Sequence, residues 1–388
     1  MSSIDWLITY RWAILFYLIV GIIVFLNRQK FEKQGIIYLL RTKLGLRMMD
    51  QIALKHKQIV RILGISAVGF AFMGMATIII LLIEFISKYF TTELKTVGIS
   101  PVVPGFPIAG TGLVFPLVLG WICLFIVMVI HEFSHGIVAR AYQIPVRSSG
   151  LVFIGPVLGA FVEPDEKQMS KRPQHEQLAV FAAGPVSNIA FAVLLVIISS
   201  FILSPLLSAM TYSDGIKIVV NPDTPAKEAG LKTGDIIYEI NGVKASNTTY
   251  FDAAAAQLRP GDNVKLVTSS GNFMLVAATH PQIPIKGYIG ISRTENRVPY
   301  VQYSFIHSFL LWLQSELIFW LNFVNVAIGL INLLPIYITD GARMVKIAFE
   351  NAFAKEKARR YWVFANNMCL LMLFLMIAIP LGKMILSA

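Results

Sequence analysis

Six stretches of this sequence are apolar over lengths that match a lipid bilayer: 6–26, 62–86, 113–139, 178–203, a longer one at 305–338, and 361–381. A hydrocarbon core about 30 Å thick needs about 20 helical residues, so these blocks set the solvent before any motif is read. Composition agrees: 56% of the 388 residues are hydrophobic and 14% charged, against roughly 45–50% and about 25% in a soluble domain. A cytosolic enzyme with one globular core is excluded. The expected class is a polytopic α-helical membrane protein with about six transmembrane helices. The first block is the weakest, because Arg11 interrupts it and its unbroken apolar part is short; a helix lying in the interface is the alternative there. No basic segment precedes it and no small-residue cleavage site follows, so it reads as a retained anchor rather than a cleaved signal peptide.

The net charge of +11 is informative through its placement. Between Asn27 and Arg61 stand nine basic residues (Arg28, Lys30, Lys33, Arg41, Lys43, Arg47, Lys55, Lys57, Arg61) against Glu32 and Asp50. The positive-inside rule makes this segment cytoplasmic. Alternation then puts 88–111 outside, 142–177 inside, 211–300 outside and 341–360 inside. The last of these carries Arg343, Lys346, Lys355, Lys357, Arg359 and Arg360, whereas 88–111 has only Lys88 and Lys95. These basic residues flank apolar spans and form no face with stacking aromatics, which argues against nucleic acid as a partner. Cys123 and Cys369 both lie inside apolar stretches and form neither a CxxC site nor a disulfide framework.

The third block runs directly into His131-Glu132-Phe133-Ser134-His135-Gly136. Two histidines four residues apart on a helix project from one face and can bind one metal ion, while Glu132 beside them can take a proton from a metal-bound water. Ionisable groups at membrane depth cost on the order of 2.5–3.5 kcal/mol each, a cost that a bound ion offsets. Catalytic zinc usually has three protein ligands and a water, so another segment must supply one more. The fifth block ends Asn332-Leu333-Leu334-Pro335-Ile336-Tyr337-Ile338-Thr339-Asp340-Gly341-Ala342-Arg343. Asp340 stands three residues before Arg343, and His135 five before Arg140. Both therefore lie within roughly 8 Å of the cytoplasmic boundary at the helical rise. Two histidines and an aspartate favour Zn2+ as the cofactor.

The ordered pair of motifs, HExxH at His131–His135 and Asn-x-x-Pro-x-x-x-x-Asp-Gly at Asn332–Gly341, resembles the site-2 protease family of intramembrane zinc metalloproteases. The resemblance covers 113–341 and leaves the first two blocks outside it. It implies His131, His135 and Asp340 as zinc ligands and Glu132 as catalytic base. It extends to Gly184-Pro185-Val186-Ser187-Asn188, which implies that Asn188 and Asn332 hydrogen-bond the substrate backbone or the oxyanion; interhelical hydrogen bonding is the alternative for both. Thr339 and Ala342 depart from the residues most often found around the family's Asp-Gly, and neither change removes a ligand. The apolar, Gly-punctuated segment from Gly150 to Pro164 is too short and broken for a span. It matches the family's re-entrant β-hairpin, whose edge pairs with an unwound substrate. A hairpin lying at the interface is the alternative.

From Ser213 to about Thr294 the pattern changes to short alternating strands with Asn241-Gly242 and Pro260-Gly261 turns. The run from Asn221 through Gly230, Gly234 and Asp235 to Ile237, followed by Ile240-Asn241-Gly242, is similar to PDZ domains, which bind peptide tails by strand addition. Gly287-Tyr288-Ile289-Gly290-Ile291 is similar to the carboxylate loop of the circularly permuted form, with a plain strand end as the alternative. His280 and His307 have no partners at metal spacing.

These readings predict N-terminal transmembrane helices and a basic cytoplasmic loop at 1–112, then a first part of a catalytic membrane core at 113–210. A small α/β PDZ-like extracytoplasmic domain is expected at 211–300, a second part of the core at 301–345, and a basic loop with a last transmembrane helix at 346–388. The expected protein is a multi-pass enzyme of the cell membrane that cleaves transmembrane segments of membrane-anchored proteins near the cytoplasmic face. Its expected partners are such a substrate, shortened by an earlier cut or not, a peptide tail at the PDZ-like domain, and the lipid bilayer. Two other readings compete. In one, HExxH pairs with a Glu on a later helix, an arrangement this sequence lacks. In the other, the protein is a membrane scaffold with a structural metal, which would need a fourth protein ligand.

Overall fold

The computed structural model describes residues 3–35, 37–91, 102–154 and 157–386. Lys95 of the predicted outer loop, and Gly155 and Pro156 at the hairpin tip, lie outside the described residues. The chain divides into two units, one made of residues 1–197 and 316–388 and the other of residues 198–315.

The long apolar blocks are helical because a helix alone satisfies its own backbone groups in hydrocarbon. Among the described residues, five helices are long and apolar enough to cross a membrane: Lys57–Thr91, Leu117–Ala141, Gln174–Ala209, Val301–Leu333 and Lys355–Lys383. Their outward faces carry exposed Phe70, Ile80, Val118 and Val196, as lipid contact requires. The first block forms the shorter helix Arg11–Leu26, of 16 residues, which at the helical rise spans about 24 Å. About six spans were expected, the first the weakest; among the described residues there are five long helices and this short one. Tyr17 of the short helix donates to the Pro104 carbonyl at 2.9 Å, and its ring lies 6.1 Å from that of Trp121.

A common core joins five helical segments. It contains Ala67, Ala71 and Met75, then Val138 and Ala139, then Ala179, Val180 and Ala182, and finally Leu333, Met344 and Val345. Alanine is its commonest residue, as expected where helices in a bilayer associate by close packing rather than by expelling water.

The basic segment 27–61 is not an open loop. It forms strands β1 (Glu32–Gln34) and β2 (Ile37–Thr42) and the helix Leu46–Lys55. The predicted hairpin is present as β3 (Val146–Ile154) and β4 (Val157–Pro164). The four strands form one antiparallel sheet in the order β1-β2-β3-β4, with Arg41 opposite Gly150 and Gly150 opposite Phe161. One side of the hairpin is thus already occupied by β2, which leaves β4 as the open edge beside the HExxH helix. This pairing was illegible locally, since nine basic residues mask the alternation of β2 and its partner lies over a hundred positions away.

The fifth block also differs from expectation. It ends as a helix at Leu333 rather than continuing to residue 338. Pro335 lacks an N–H and restricts the residue before it to extended backbone, and Leu334 is extended. Thr339 then caps a new helix, Asp340–Ala352, its side chain accepting from the Ala342 N–H.

The second unit carries a sheet ordered β12-β5-β6-β8-β9, with β7 paired to β6. These strands are Thr211–Val220 (β5), Ile236–Ile240 (β6), Val243–Lys244 (β7), Asn263–Thr268 (β8), Gly271–Val276 (β9) and Ile291–Pro299 (β12). β10 (Ala278–Thr279) and β11 (Gly287–Tyr288) form a separate antiparallel pair. Ile216, Ile218, Ile237, Ile240, Val264 and Leu266 point into one buried cluster with Phe251 of the helix Thr248–Ala255. Gly230 and Gly234 hold φ of +87° and +102°, the left-handed region expected of them.

Candidate metal centre

The helix Leu117–Ala141 places His131 and His135 on one face, and the start of the helix Asp340–Ala352 brings Asp340 against them. Nε2 of His131 and Nε2 of His135 are 3.2 Å apart. Asp340 Oδ2 lies 3.1 Å from the first and 3.2 Å from the second. The three candidate ligand atoms form a nearly equilateral triangle. Tetrahedral coordination with bonds of about 2.0–2.1 Å requires ligand atoms about 3.3 Å apart. The donor set and its spacing therefore fit a zinc-sized ion bound by three protein atoms with one position open. Among the described residues, His131, His135 and Asp340 are the one group of three metal-ligating side chains close enough to share an ion.

The surroundings are shaped to the same end. Both histidines are buried. A Cβ on Gly184 would meet His131 Nε2 at 2.7 Å and crowd His135 Nε2 as well, so the helix Gln174–Ile198 can approach the triangle only with glycine there. His135 Nδ1 donates to the Val180 carbonyl at 2.6 Å, which leaves its Nε2 free to face the ligand cluster. Asn188 is fully buried, and its carboxamide lies 3.2 Å from His131 Nδ1. Asn332, by contrast, donates to Ile328 within its own helix at 3.1 Å.

Glu132 is held from the sheet. Its Oε2 accepts the Val162 N–H of β4 at 2.8 Å. The far end of β4 is fastened in turn by charge: Arg41 of β2 pairs with Glu163, which accepts from Ser148 at 2.6 Å. The same guanidinium reaches Glu32 at 2.6 Å and Ser148 at 3.1 Å. Next to Val162, the buried Met49 packs where a Cβ on Gly136 would otherwise sit, and Arg140 pairs with Asp50 at 3.0 Å.

Sequence reasoning found the triangle and Glu132, and missed this frame. Val162 and Val180 contribute backbone atoms, which carry no residue-type signal. Arg41 and Asp50 read as loop charges until their strand and helix are known.

An HExxH helix, an aspartate from a separate helix start and apolar spans define a membrane metalloprotease class. A family model for peptidase family M50 matches residues 119–376. The chain belongs to that family, the site-2 protease family. It is 30% identical over 327 residues to an uncharacterized protein of Methanocaldococcus jannaschii, a match covering 84% of this chain and 80% of that one. It is also 23% identical over 242 residues to the zinc metalloprotease RasP of Shouchella clausii, covering 50% of this chain and 55% of RasP. The matched family region begins after the short helix, the four-stranded sheet's first two strands and the helix Lys57–Thr91. Family and apolar helices together mark an integral membrane protein.

Proposed function

We propose that this protein is an intramembrane zinc endopeptidase that hydrolyses transmembrane segments of membrane-anchored proteins near the cytoplasmic face. The observation that carries this reading is the triangle of His131, His135 and Asp340 with Glu132 on the next residue of the same helix. Those three residues would hold zinc, which when bound supplies Lewis acidity to a scissile carbonyl and acidifies an attacking water.

The chain's own groups do the rest. Glu132, oriented by the Val162 N–H, takes the proton of the attacking water and passes it to the leaving amine. A helical substrate hides its amides, so it must unwind first. Edge strand β4 offers a place for the unwound chain. Because the Val162 N–H points away from β3, the backbone groups of Ala160 and Leu158, two and four residues earlier, lie on the same open edge. A substrate strand pairing there would end at Glu132, which already takes the Val162 donor.

In this reading the basic segments 27–61 and 341–360 face the cytoplasm of a multi-pass plasma-membrane protein. The second unit is a PDZ-like domain outside, where it screens substrates by size or by terminus. Its strand order and the left-handed Gly230 and Gly234 support that likeness.

The test is cleavage of a tagged transmembrane reporter by purified protein in detergent, with bound metal quantified. Wild type should cut. Glu132→Gln should keep zinc and lose at least about 10²-fold in rate, the scale of general base catalysis. Asp340→Ala should lose zinc. Full cleavage by Glu132→Gln would overturn the reading.

A further inference from the structure

The two histidines of the triangle are backed differently. His135 Nδ1 faces the Val180 carbonyl oxygen at 2.6 Å, an atom that can only accept. The proton of His135 therefore sits on Nδ1 and its Nε2 presents a lone pair to the cluster. His131 Nδ1 instead faces the Asn188 carboxamide nitrogen at 3.2 Å. That nitrogen can only donate, which makes Nδ1 of His131 the acceptor and puts its proton on Nε2, the atom that must ligate. At the same time Asn188 Oδ1 is buried and has no hydrogen-bond partner among the described residues. Asn188 itself has no solvent exposure.

The two ends of a carboxamide are nearly equal in size, and a half-turn about the terminal bond exchanges them. That half-turn removes both difficulties. The orphaned oxygen gains a donor in the Nδ1–H of His131, and Nε2 of His131 becomes a free lone pair matching that of His135. Ligating histidines characteristically donate their second ring N–H to an oxygen, which sets the tautomer and the ring orientation.

We propose that Asn188 is a positioning residue for the metal: its side-chain oxygen accepts from Nδ1–H of His131 and holds that imidazole in the ligating tautomer, as the Val180 carbonyl does for His135. Asn188 thereby acts on the ion through His131. This differs from a direct contact with the substrate backbone or oxyanion, and it rests on the zinc reading of the triangle.

The experiment measures zinc affinity by chelator competition, and the visible absorption of the Co2+-substituted protein, for wild type, Asn188→Asp and Asn188→Leu in detergent. Asn188→Leu keeps the volume and removes the acceptor; zinc affinity should fall by about 10–100-fold, with an altered cobalt band. Asn188→Asp keeps an acceptor oxygen and should bind zinc as tightly as wild type or tighter. In 15N-histidine-labelled, zinc-loaded protein, Asn188→Asp should also shift the His131 Nδ1 resonance and leave that of His135 in place. This last measurement does not depend on the leucine variant folding. Wild-type affinity and cobalt spectrum in a folded Asn188→Leu, even with cleavage lost, would overturn the proposal and favour a substrate contact. An unmoved His131 resonance in Asn188→Asp would overturn it equally. A wild-type protein that binds no zinc would overturn the zinc reading itself, which separates the two failures.

Discussion

The two larger sheets of this molecule are built on opposite principles. The sheet of the second unit owns its core: Ile216, Ile218, Ile237, Ile240, Val264 and Leu266 meet Phe251 from a helix between the strands. Among the described residues, the β1–β4 sheet shares its buried side chains with the helical core, where Val146 and Val162 pack. It is laid against the HExxH helix, with Val162 beside Gly136 and Met49, and is tied by one guanidinium to Glu32 and Glu163. A self-sufficient sheet can be perturbed without consequence elsewhere. A sheet whose partner is the catalytic helix passes every change in its register to Glu132.

The sharpest way to break this contrast is Phe251→Ala. Truncating a fully packed phenylalanine should cost the second unit about 3–5 kcal/mol, measured as protease susceptibility of that unit in urea, while zinc affinity stays unchanged. If the unit screens substrates, the range of reporters cut should widen as it loosens; an unchanged range removes that role. In the other sheet, Val162→Pro deletes the donor to Glu132 without touching a ladder bond. Hydrogen bonds to charged groups contribute about 1.5–3 kcal/mol, so cleavage should fall by roughly one to two orders of magnitude with zinc retained. Equal cleavage would mean that Glu132 is oriented by something else.

Arg41→Met tests the fastening of β4 from the N-terminal segment. The pair is half-exposed, so the effect should be about 1 kcal/mol, seen as a several-fold drop in cleavage rate and no change in the second unit. The smallest effect concerns Asp165, which follows β4 and caps the helix Glu166–Met169. The Gln168 N–H and then Arg147 hold its carboxyl below the ordinary carboxylate range. A lowered folded-state pKa stabilises above the unfolded value and loses that contribution as pH falls through the folded one. Melting temperatures of wild type and Asp165→Asn should therefore differ above about pH 4 and converge below it; a constant gap would show that the charge is not the cause.

Much of the site was legible without coordinates. His131 and His135 share a helix face by spacing alone, and Asp340 was placed by counting back to the first arginine after the fifth block, Arg343. The count succeeded for an incomplete reason: residues 334–338 are not helical, and Asp340 reaches the histidines because Pro335 stops one helix and Thr339 starts the next. The charge-rich stretch before the second block was legible only as a side of the membrane, since strand pairing with a distant hairpin leaves no local period behind its lysines and arginines.

By itself the sequence determined the solvent and the side chains able to share a metal ion, because hydrocarbon tolerates few charges and a helix repeats at 3.6 residues. Tertiary structure decided which backbone atoms complete the site: the Val162 N–H on Glu132 and the Val180 carbonyl on His135. It also decided that Gly184 is the close approach and that an N-terminal strand fastens β4. Backbone donors and acceptors are the same in every residue except proline, so only packing can say which of them a functional side chain will meet.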